Sequence, residues 1–210
     1  MVEQMPIVGG YLGTPEQAAV SDVATHLGTF ALFSGSYHLD GPVHVRWGIT
    51  TSREALQVAG YVALALDRNT NCLIANQYYP IAGPCTEMCL LETAAQAIND
   101  TCSGRELASG SAVAKGVVED CTTGMEARVM GEASLAATKL TPNRANEVLN
   151  AILALYEKNY KEYDVMGGKG KKFQECYDTV AIKPTEEYLK TYEKAMHTLE
   201  ECGLPLKGIW

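Results

Sequence analysis

The strongest constraint on the fold is a repeated unit, in which a short apolar run is followed by a helical pattern. The apolar runs start near Met5, Pro42, Cys72 and Glu106, so each unit is about 30 to 37 residues long. Units of this length predict parallel strands that are joined by right-handed helical crossovers. The pattern therefore predicts an α/β protein, either an open doubly wound sheet or part of a closed (β/α)8 barrel.

Signals at the helix ends support this division. Thr14 is a candidate N-cap before Pro15, and Thr51 or Ser52 has the same place before the second helix. The third helical pattern covers about 85–101 and closes near Gly104, and later patterns cover about 124–138, 143–163 and 186–202. We predict one domain, in which 1–140 holds the βα units and 141–210 holds additional helices and a tail.

The two sheet architectures make different demands on the sequence. A dinucleotide-binding sheet needs Gly-x-Gly-x-x-Gly after its first strand, and Gly9-Gly10-Tyr11-Leu12-Gly13 matches this motif only loosely. A closed TIM barrel needs eight βα units, of which only four are predicted here. We therefore predict roughly the C-terminal half of a TIM barrel, with additional helices at its C-terminal end.

Charge and composition exclude several classes of function. The net charge of -8 argues against nucleic-acid binding, which needs a basic surface. The basic cluster at 169–172 lies in a Gly-rich segment that begins at Gly167 and predicts a solvated loop. No apolar run is long enough to span a membrane, and the N-terminus lacks the features of a signal peptide. Scattered cysteines fit reduced thiols in a cytoplasmic protein.

The segment Asn76-Gln77-Tyr78-Tyr79-Pro80 places polar side chains at the end of a buried strand. In parallel α/β folds the reactive groups lie at the carboxyl ends of strands. One interpretation is a hydrogen-bonded network at the rim of the sheet, since buried amides and phenols need partners. The other interpretation is a polar pocket that orients a ligand.

Two further groups of residues could bind a metal ion. His38 and His44 flank the predicted Pro42 strand, but their spacing does not fit a helical metal motif, and no third ligand is evident. A metal-dependent α/β enzyme that uses these histidines is retained as an alternative. Cys85 and Cys89 are predicted to share one helix face as structural thiols. No metal site is predicted.

Several long segments carry a family resemblance. These segments are Glu3-Gln4-Met5-Pro6-Ile7, Gly9-Gly10-Tyr11, His38-Leu39-Asp40-Gly41-Pro42-Val43-His44-Val45-Arg46-Trp47-Gly48, Asn76-Gln77-Tyr78-Tyr79-Pro80, Ala82-Gly83-Pro84-Cys85-Thr86-Glu87-Met88-Cys89-Leu90-Leu91-Glu92, Ala114-Lys115-Gly116-Val117-Val118, Thr123-Gly124-Met125-Glu126-Ala127-Arg128 and Phe173-Gln174-Glu175-Cys176-Tyr177-Asp178. In this order they resemble the C-terminal portion of the pyrrolysine-containing monomethylamine:corrinoid methyltransferases, and the resemblance covers essentially the whole chain.

The resemblance implies a fold and a chemistry. Members of the family are (β/α)8 barrels in which a pyrrolysine binds methylamine and presents its methyl group to the Co(I) corrinoid of a cognate partner protein. Glu3 matches a pocket glutamate and is the expected catalytic acid or base. Gln77 and Tyr79 match the residues that line the substrate pocket. Monomethylamine, the cognate corrinoid protein and further copies of the enzyme are the expected partners.

The resemblance also implies what this chain lacks. The pyrrolysine position, a second pocket glutamate and about half of the barrel have no counterpart here, so the chain is expected to be inactive alone. Either a start codon called downstream of an amber codon or a true truncation would explain this. The alternative function is a non-catalytic scaffold that docks on a corrinoid protein. The exposed strand edges of half a barrel are expected to pair with other chains.

Overall fold

Strands and helices alternate along the first 140 residues of the chain. The structure, a computed structural model, describes residues 1–33, 35–165 and 169–208. In chain order, the strands are β1 (Val2–Gln4), β2 (Ile7–Val8), β3 (His38–Asp40), β4 (Val43–His44), β5 (Ile74–Tyr78), β6 (Leu107–Ser111), β7 (Tyr177–Asp178) and β8 (Lys183–Pro184).

The helices follow the strands and then continue into the C-terminal part of the chain. Short 3-10 turns occur at Ala114–Gly116 and Glu157–Asn159. In chain order, the helices are α1 (Pro15–Leu32), α2 (Arg53–Asn69), α3 (Glu87–Cys102), α4 (Gly124–Ala137), α5 (Pro142–Tyr156), α6 (Tyr160–Tyr163), α7 (Phe173–Cys176) and α8 (Glu186–Glu201). None of the helices that the structure describes combines the length and apolar character needed to cross a membrane.

Four strands form a parallel sheet in the order β1-β3-β5-β6, which confirms the prediction of an α/β fold with parallel strands. In this sheet Glu3 lies opposite Leu39, and Leu39 lies opposite Ala75. Ala75 in turn pairs with Leu107. Since residues opposite one another project to the same side of a sheet, this row defines one face. The face that carries Asp40 and Asn76 is covered by helices.

The first two strands of this sheet lie upstream of their predicted positions. The sequence predicts strands at Met5–Gly10 and at Pro42–Trp47, whereas the sheet uses β1 and β3. The predicted segments instead contribute β2 and β4, which form a separate parallel pair. The prediction was wrong because β3 consists largely of buried polar residues, which a search for apolar runs passes over. His38 therefore lies inside a strand and does not flank one.

Helix α3 lies at the centre of the larger hydrophobic core. It contacts α2, α4, α5 and α8, and its residues from Met88 to Ile98 are all buried. Many of these residues are small, so neighbouring helices approach α3 closely, and the burial of their apolar surface stabilises the fold. The C-terminal helices α5 and α8 thus complete the core that the βα units begin.

The predicted helix starts are largely confirmed. The Thr14 hydroxyl accepts a hydrogen bond from the Gln17 backbone, and the Gln17 side chain accepts one from Thr14, so the first helix has a capping box. Ser52, and not Thr51, caps the second helix. The third helix begins at Glu87 with Thr86 as its cap, and Cys85 before it has a φ of 63°. Cys85 and Cys89 therefore do not share a helix face, which corrects the prediction.

The tail contains further short elements before the last helix. Phe173–Cys176 forms the short helix α7, and the antiparallel pair β7–β8 follows it. In the predicted basic loop, Lys169 pairs with Glu162, and Lys171 lies 2.5 Å from Glu187, so these charges are partly neutralised at the surface. The predicted linker residues Gly167 and Gly168, and the last two residues of the chain, lie outside the described residues.

Candidate active site

One face of the parallel sheet is open and carries the predicted site residues. Leu39, Ala75, Gln77 and Leu107 line a depression of about 590 Å³ on this face. Glu3 lies opposite Leu39 in the register, so its side chain belongs to the same face. The Glu3 side chain is exposed, and Gln77 is half-buried. The depression is therefore accessible to a small ligand.

Tyr79 interacts with both of the other predicted site residues. Tyr79 directly follows β5, at the carboxyl end of the strand. Burial raises the pKa of the Tyr79 phenol, the negative charge of Glu3 raises it further, and a hydrogen bond with the Gln77 side chain partly lowers it. The phenol thus stays protonated at neutral pH and can donate a hydrogen bond. The structure brings together a carboxylate, an amide and a phenol.

The backbone around Gln77 and Tyr79 is held by a network that the sequence pattern did not predict. The Tyr79 amide donates to the Thr50 hydroxyl over 2.9 Å, and that hydroxyl donates to the Gln96 side chain over 2.8 Å. Gln96 in turn donates to the Gln77 carbonyl over 2.8 Å. Both Thr50 and Gln96 are fully buried. This network fixes the strand end from which the site residues project, as orientation of a ligand requires.

The Tyr79 ring packs directly against the backbone of Gly116. A Cβ atom at position 116 would lie 2.8 Å from Cε1 of Tyr79, and the glycine has a φ of +68°. A larger residue would therefore both strain the backbone and displace the ring. The sequence shows Gly116 only as one residue of the segment 114–118. Its role in positioning the Tyr79 ring becomes visible only from this contact.

Glu92 holds the loop that follows the site. It accepts hydrogen bonds from the Thr51 hydroxyl at 2.5 Å and from the backbone amides of Ile81 and Ala82 at 3.0 and 3.1 Å. The side chain is fully buried, so these hydrogen bonds are formed inside the protein. Burial raises the pKa of Glu92 to about 7, although these three hydrogen bonds lower it in part.

This shift predicts a pH dependence of stability. The folded state binds the proton of Glu92 more tightly than the unfolded state, whose pKa is near 4.5. The stabilisation is therefore complete below pH 4.5 and is lost as the pH rises through 7, by up to about 3 kcal/mol. Urea unfolding of the chain at low concentration, followed by circular dichroism, measures the free energy of unfolding across this range.

The variant Glu92→Gln isolates this contribution, because it cannot titrate. Burial also raises the pKa of Asp100, to about 6, so Asp100 adds a pH dependence of the same sign to the free energy of unfolding of both wild type and variant. The difference between the two proteins therefore reports the contribution of Glu92. The exposed Glu54 provides the control, and Glu54→Gln should keep the wild-type slope. An unchanged slope in Glu92→Gln would contradict the assignment.

The two histidines considered for a metal site do not act together. His44 lies in β4 and accepts a hydrogen bond from the Arg46 backbone at 3.2 Å. His38 is buried on the helix-covered face, stacks on Phe30 with ring centres 3.6 Å apart, and lies 3.2 Å from the Thr29 hydroxyl. A polar cluster that surrounds His38 includes Asp22 and His26, which the sequence pattern did not single out.

Parallel βα units with polar side chains converging at one strand end define an α/β protein whose candidate site lies on the open face of its sheet. The family model for monomethylamine methyltransferase MtmB matches residues 1–204. The chain therefore belongs to the monomethylamine methyltransferase MtmB family.

Individual relatives agree with this assignment. Over 204 residues, the chain is 55% identical to monomethylamine methyltransferase MtmB of Methanosarcina mazei and 54% identical to MtmB1 of Methanosarcina acetivorans. The match covers 97% of this chain and 44% of each relative, so the chain spans less than half of their length and corresponds to a C-terminal portion.

Solved structures show the same relation. The crystal structure of the Methanosarcina barkeri monomethylamine methyltransferase superposes with a TM-score of 0.92 at 53% identity, and the match covers 96% of this chain and 43% of that one. A structure described as the hydroxylamine MtmB complex gives the same values. The fold of this chain is thus similar to the corresponding portion of these proteins.

Proposed function

We propose that this chain is the C-terminal part of a monomethylamine methyltransferase. In this proposal the complete enzyme transfers the methyl group of monomethylamine to the Co(I) corrinoid of a cognate corrinoid protein. The observation that carries the proposal is the convergence of Glu3, Gln77 and Tyr79 on one open face, in a chain that matches the family from residue 1 to residue 204. The chain alone is expected to be inactive.

We also propose that the four strands are half of a (β/α)8 barrel. Strands β1 and β6 each pair on one side only within the part of the chain that the structure describes. Unpaired strand edges are usually covered in native proteins, and in a closed barrel the open face of the sheet would become the interior. The portion of the relatives that this chain does not cover is long enough to supply the other strands.

The site residues of this chain have the chemistry that is needed to bind and orient a small amine. A carboxylate can hold an ammonium group or move a proton, which is the role proposed for Glu3. The Gln77 amide and the Tyr79 phenol can orient an amine through hydrogen bonds. The pyrrolysine, which the resemblance assigns to the portion that this chain does not cover, would bind the amine, and the corrinoid of the partner protein would supply the Co(I) that accepts the methyl group.

The proposal extends to partners and location. The complete enzyme is expected to form homo-oligomers and to meet its corrinoid protein at the open end of the barrel. A cytoplasmic location is supported by the cysteines, all seven of which are free thiols, because disulfides are rare in reducing compartments.

A fused enzyme tests the proposed function. The portion of the M. barkeri relative that precedes the match, in which the resemblance implies a pyrrolysine, is joined to residues 1–204 of this chain. Monomethylamine should then consume the Co(I) corrinoid of the cognate protein, followed by its visible absorbance, whereas neither portion alone should do so. A folded fused enzyme that shows no monomethylamine-dependent change would overturn the proposal.

A further inference from the structure

A buried polar cluster lies on the helix-covered face of the sheet, opposite the candidate active site. Asp22 and His26 project from α1, and Asp40 projects from β3. Asp22 is 1% exposed, and the other two residues are 0% exposed. One ligand atom from each residue lies within 4.8 Å of the other two. The cluster thus joins a helix and a strand through groups that commonly bind metal ions.

The distances within the cluster suit a shared cation. Nε2 of His26 is 3.6 Å from a carboxylate oxygen of Asp22 and 3.9 Å from one of Asp40. These separations are too long for hydrogen bonds. Atoms that each lie about 2.1 Å from one metal ion are themselves separated by roughly 3 to 4 Å.

The same atoms have no other partner. Both oxygens of Asp22, Nε2 of His26 and Oδ1 of Asp40 have no hydrogen-bond partner among the described residues outside the cluster, whereas Asp22 and Asp40 lie close enough to interact with each other. Buried polar atoms are almost always paired, and an unpaired buried carboxylate is strongly unfavourable. Several unpaired atoms that point at one another therefore indicate a missing ligand at their centre.

The charge of the cluster has the sign that attracts a cation. Arg105 pairs with Asp40 through its other oxygen and lies 3.4 Å from Asp100. When Asp22, Asp40 and Asp100 are ionised, one guanidinium faces three carboxylates, which leaves two negative charges. A divalent cation would neutralise both, and a neutral His26 would complete its ligands.

His26 also has a neighbour that can fix the position of its ring proton. Nδ1 of His26 lies 3.3 Å from Nδ1 of His38. A proton on Nδ1 of His26 can be donated to His38, which leaves the Nε2 lone pair directed at the two carboxylates. Metal-binding histidines usually donate their second N–H to a neighbouring group in this manner.

We propose that Asp22, His26 and Asp40 bind one divalent transition-metal ion of the class of Mn²⁺, Fe²⁺ or Zn²⁺. The imidazole nitrogen favours this class, because Mg²⁺ and Ca²⁺ take oxygen ligands. The ion would have a structural role, since it lies on the face opposite the candidate site and ties α1 to β3. The inference does not depend on the proposed methyl transfer.

Metal analysis of the purified 210-residue chain tests the proposal. The chain is prepared without chelator, and its metal content is measured by mass spectrometry. About one ion per chain is expected, and Asp22→Asn or His26→Gln should reduce this content to near zero. Glu92→Gln is the matched control, because it removes a buried carboxyl group that lies outside the cluster and outside its charge network. Equal metal content in all variants would overturn the proposal.

A Co²⁺ titration keeps the test decisive if a variant folds poorly. In the wild-type chain, Co²⁺ should give visible bands typical of nitrogen and oxygen ligands, without the charge-transfer bands of thiolates, and should raise the midpoint of thermal unfolding. The fused enzyme, which carries the same cluster, gives a second reading. Thiolate bands would assign the metal to cysteines and overturn the proposal. A folded chain that neither contains nor binds metal would instead assign the cluster to a proton shared by Asp22 and Asp40.

Discussion

Replacing Glu3 by glutamine in the fused enzyme is expected to lower the rate of methyl transfer by about 10²- to 10⁴-fold, the usual contribution of a general acid or base. Glutamine keeps the size of the side chain but cannot carry charge or move a proton. The loss should appear mainly in kcat, measured from the disappearance of the Co(I) corrinoid absorbance at saturating monomethylamine.

Stability and activity should separate in this variant. Because the Glu3 side chain is exposed on the open face, Glu3→Gln should leave the unfolding transition of the chain nearly unchanged. The exposed Glu54 in the first turn of α2 provides the control, and Glu54→Gln should keep full activity. Wild-type turnover in Glu3→Gln would remove Glu3 from the catalytic role.

Replacing Arg105 by methionine is expected to destabilise the chain by about 3–5 kcal/mol. The Arg105 side chain is 1% exposed and pairs with Asp40 and Asp100. Burial raises the pKa of Asp40, but Arg105 overcomes this and holds it at about 2. Without Arg105 the carboxylates would stay buried and uncompensated, and the loss would be a large share of the roughly 5–15 kcal/mol that stabilises a typical domain.

An exposed ion pair provides the comparison for this prediction. Arg53 lies 3.1 Å from Glu157, with side chains 42% and 36% exposed, and Arg53→Met should cost only about 0–1 kcal/mol. Urea unfolding followed by circular dichroism measures both variants under the same conditions. If Arg105→Met costs no more than Arg53→Met, the buried network does not stabilise the fold in the manner described.

The sequence predicts most of the helices well because their ends carry local signals. Threonine or serine side chains cap α1, α2, α3, α4, α5 and α8, and such caps depend only on neighbouring residues. Strands β5 and β6 are also close to their predicted positions, because they contain apolar or small residues. Strand β3 was misplaced because its polar residues His38 and Asp40 are stabilised by distant partners such as His26 and Arg105.

The candidate site, like the fold, could be predicted from the sequence only in part. The polar strand end at Gln77 and Tyr79 could be recognised from the sequence alone, whereas Glu3 was indicated only by the family resemblance. Thr50 and Gln96 could not be found in advance, since they act through hydrogen bonds between residues far apart in the chain. Asp22 and His26 did leave a signal, because their i,i+4 spacing places two ligand-type residues on one helix face.

If the open face of this sheet completes an amine-binding pocket inside a closed barrel, a crystal structure of the fused enzyme with hydroxylamine should show both features. We expect β1 and β6 to pair with strands of the other portion, and the side chain that carries the ligand to lie within about 3 Å of Glu3 or Gln77. Unpaired edges at β1 and β6 would contradict the closed barrel, and a ligand bound away from the face that carries Glu3, Gln77 and Tyr79 would contradict the pocket.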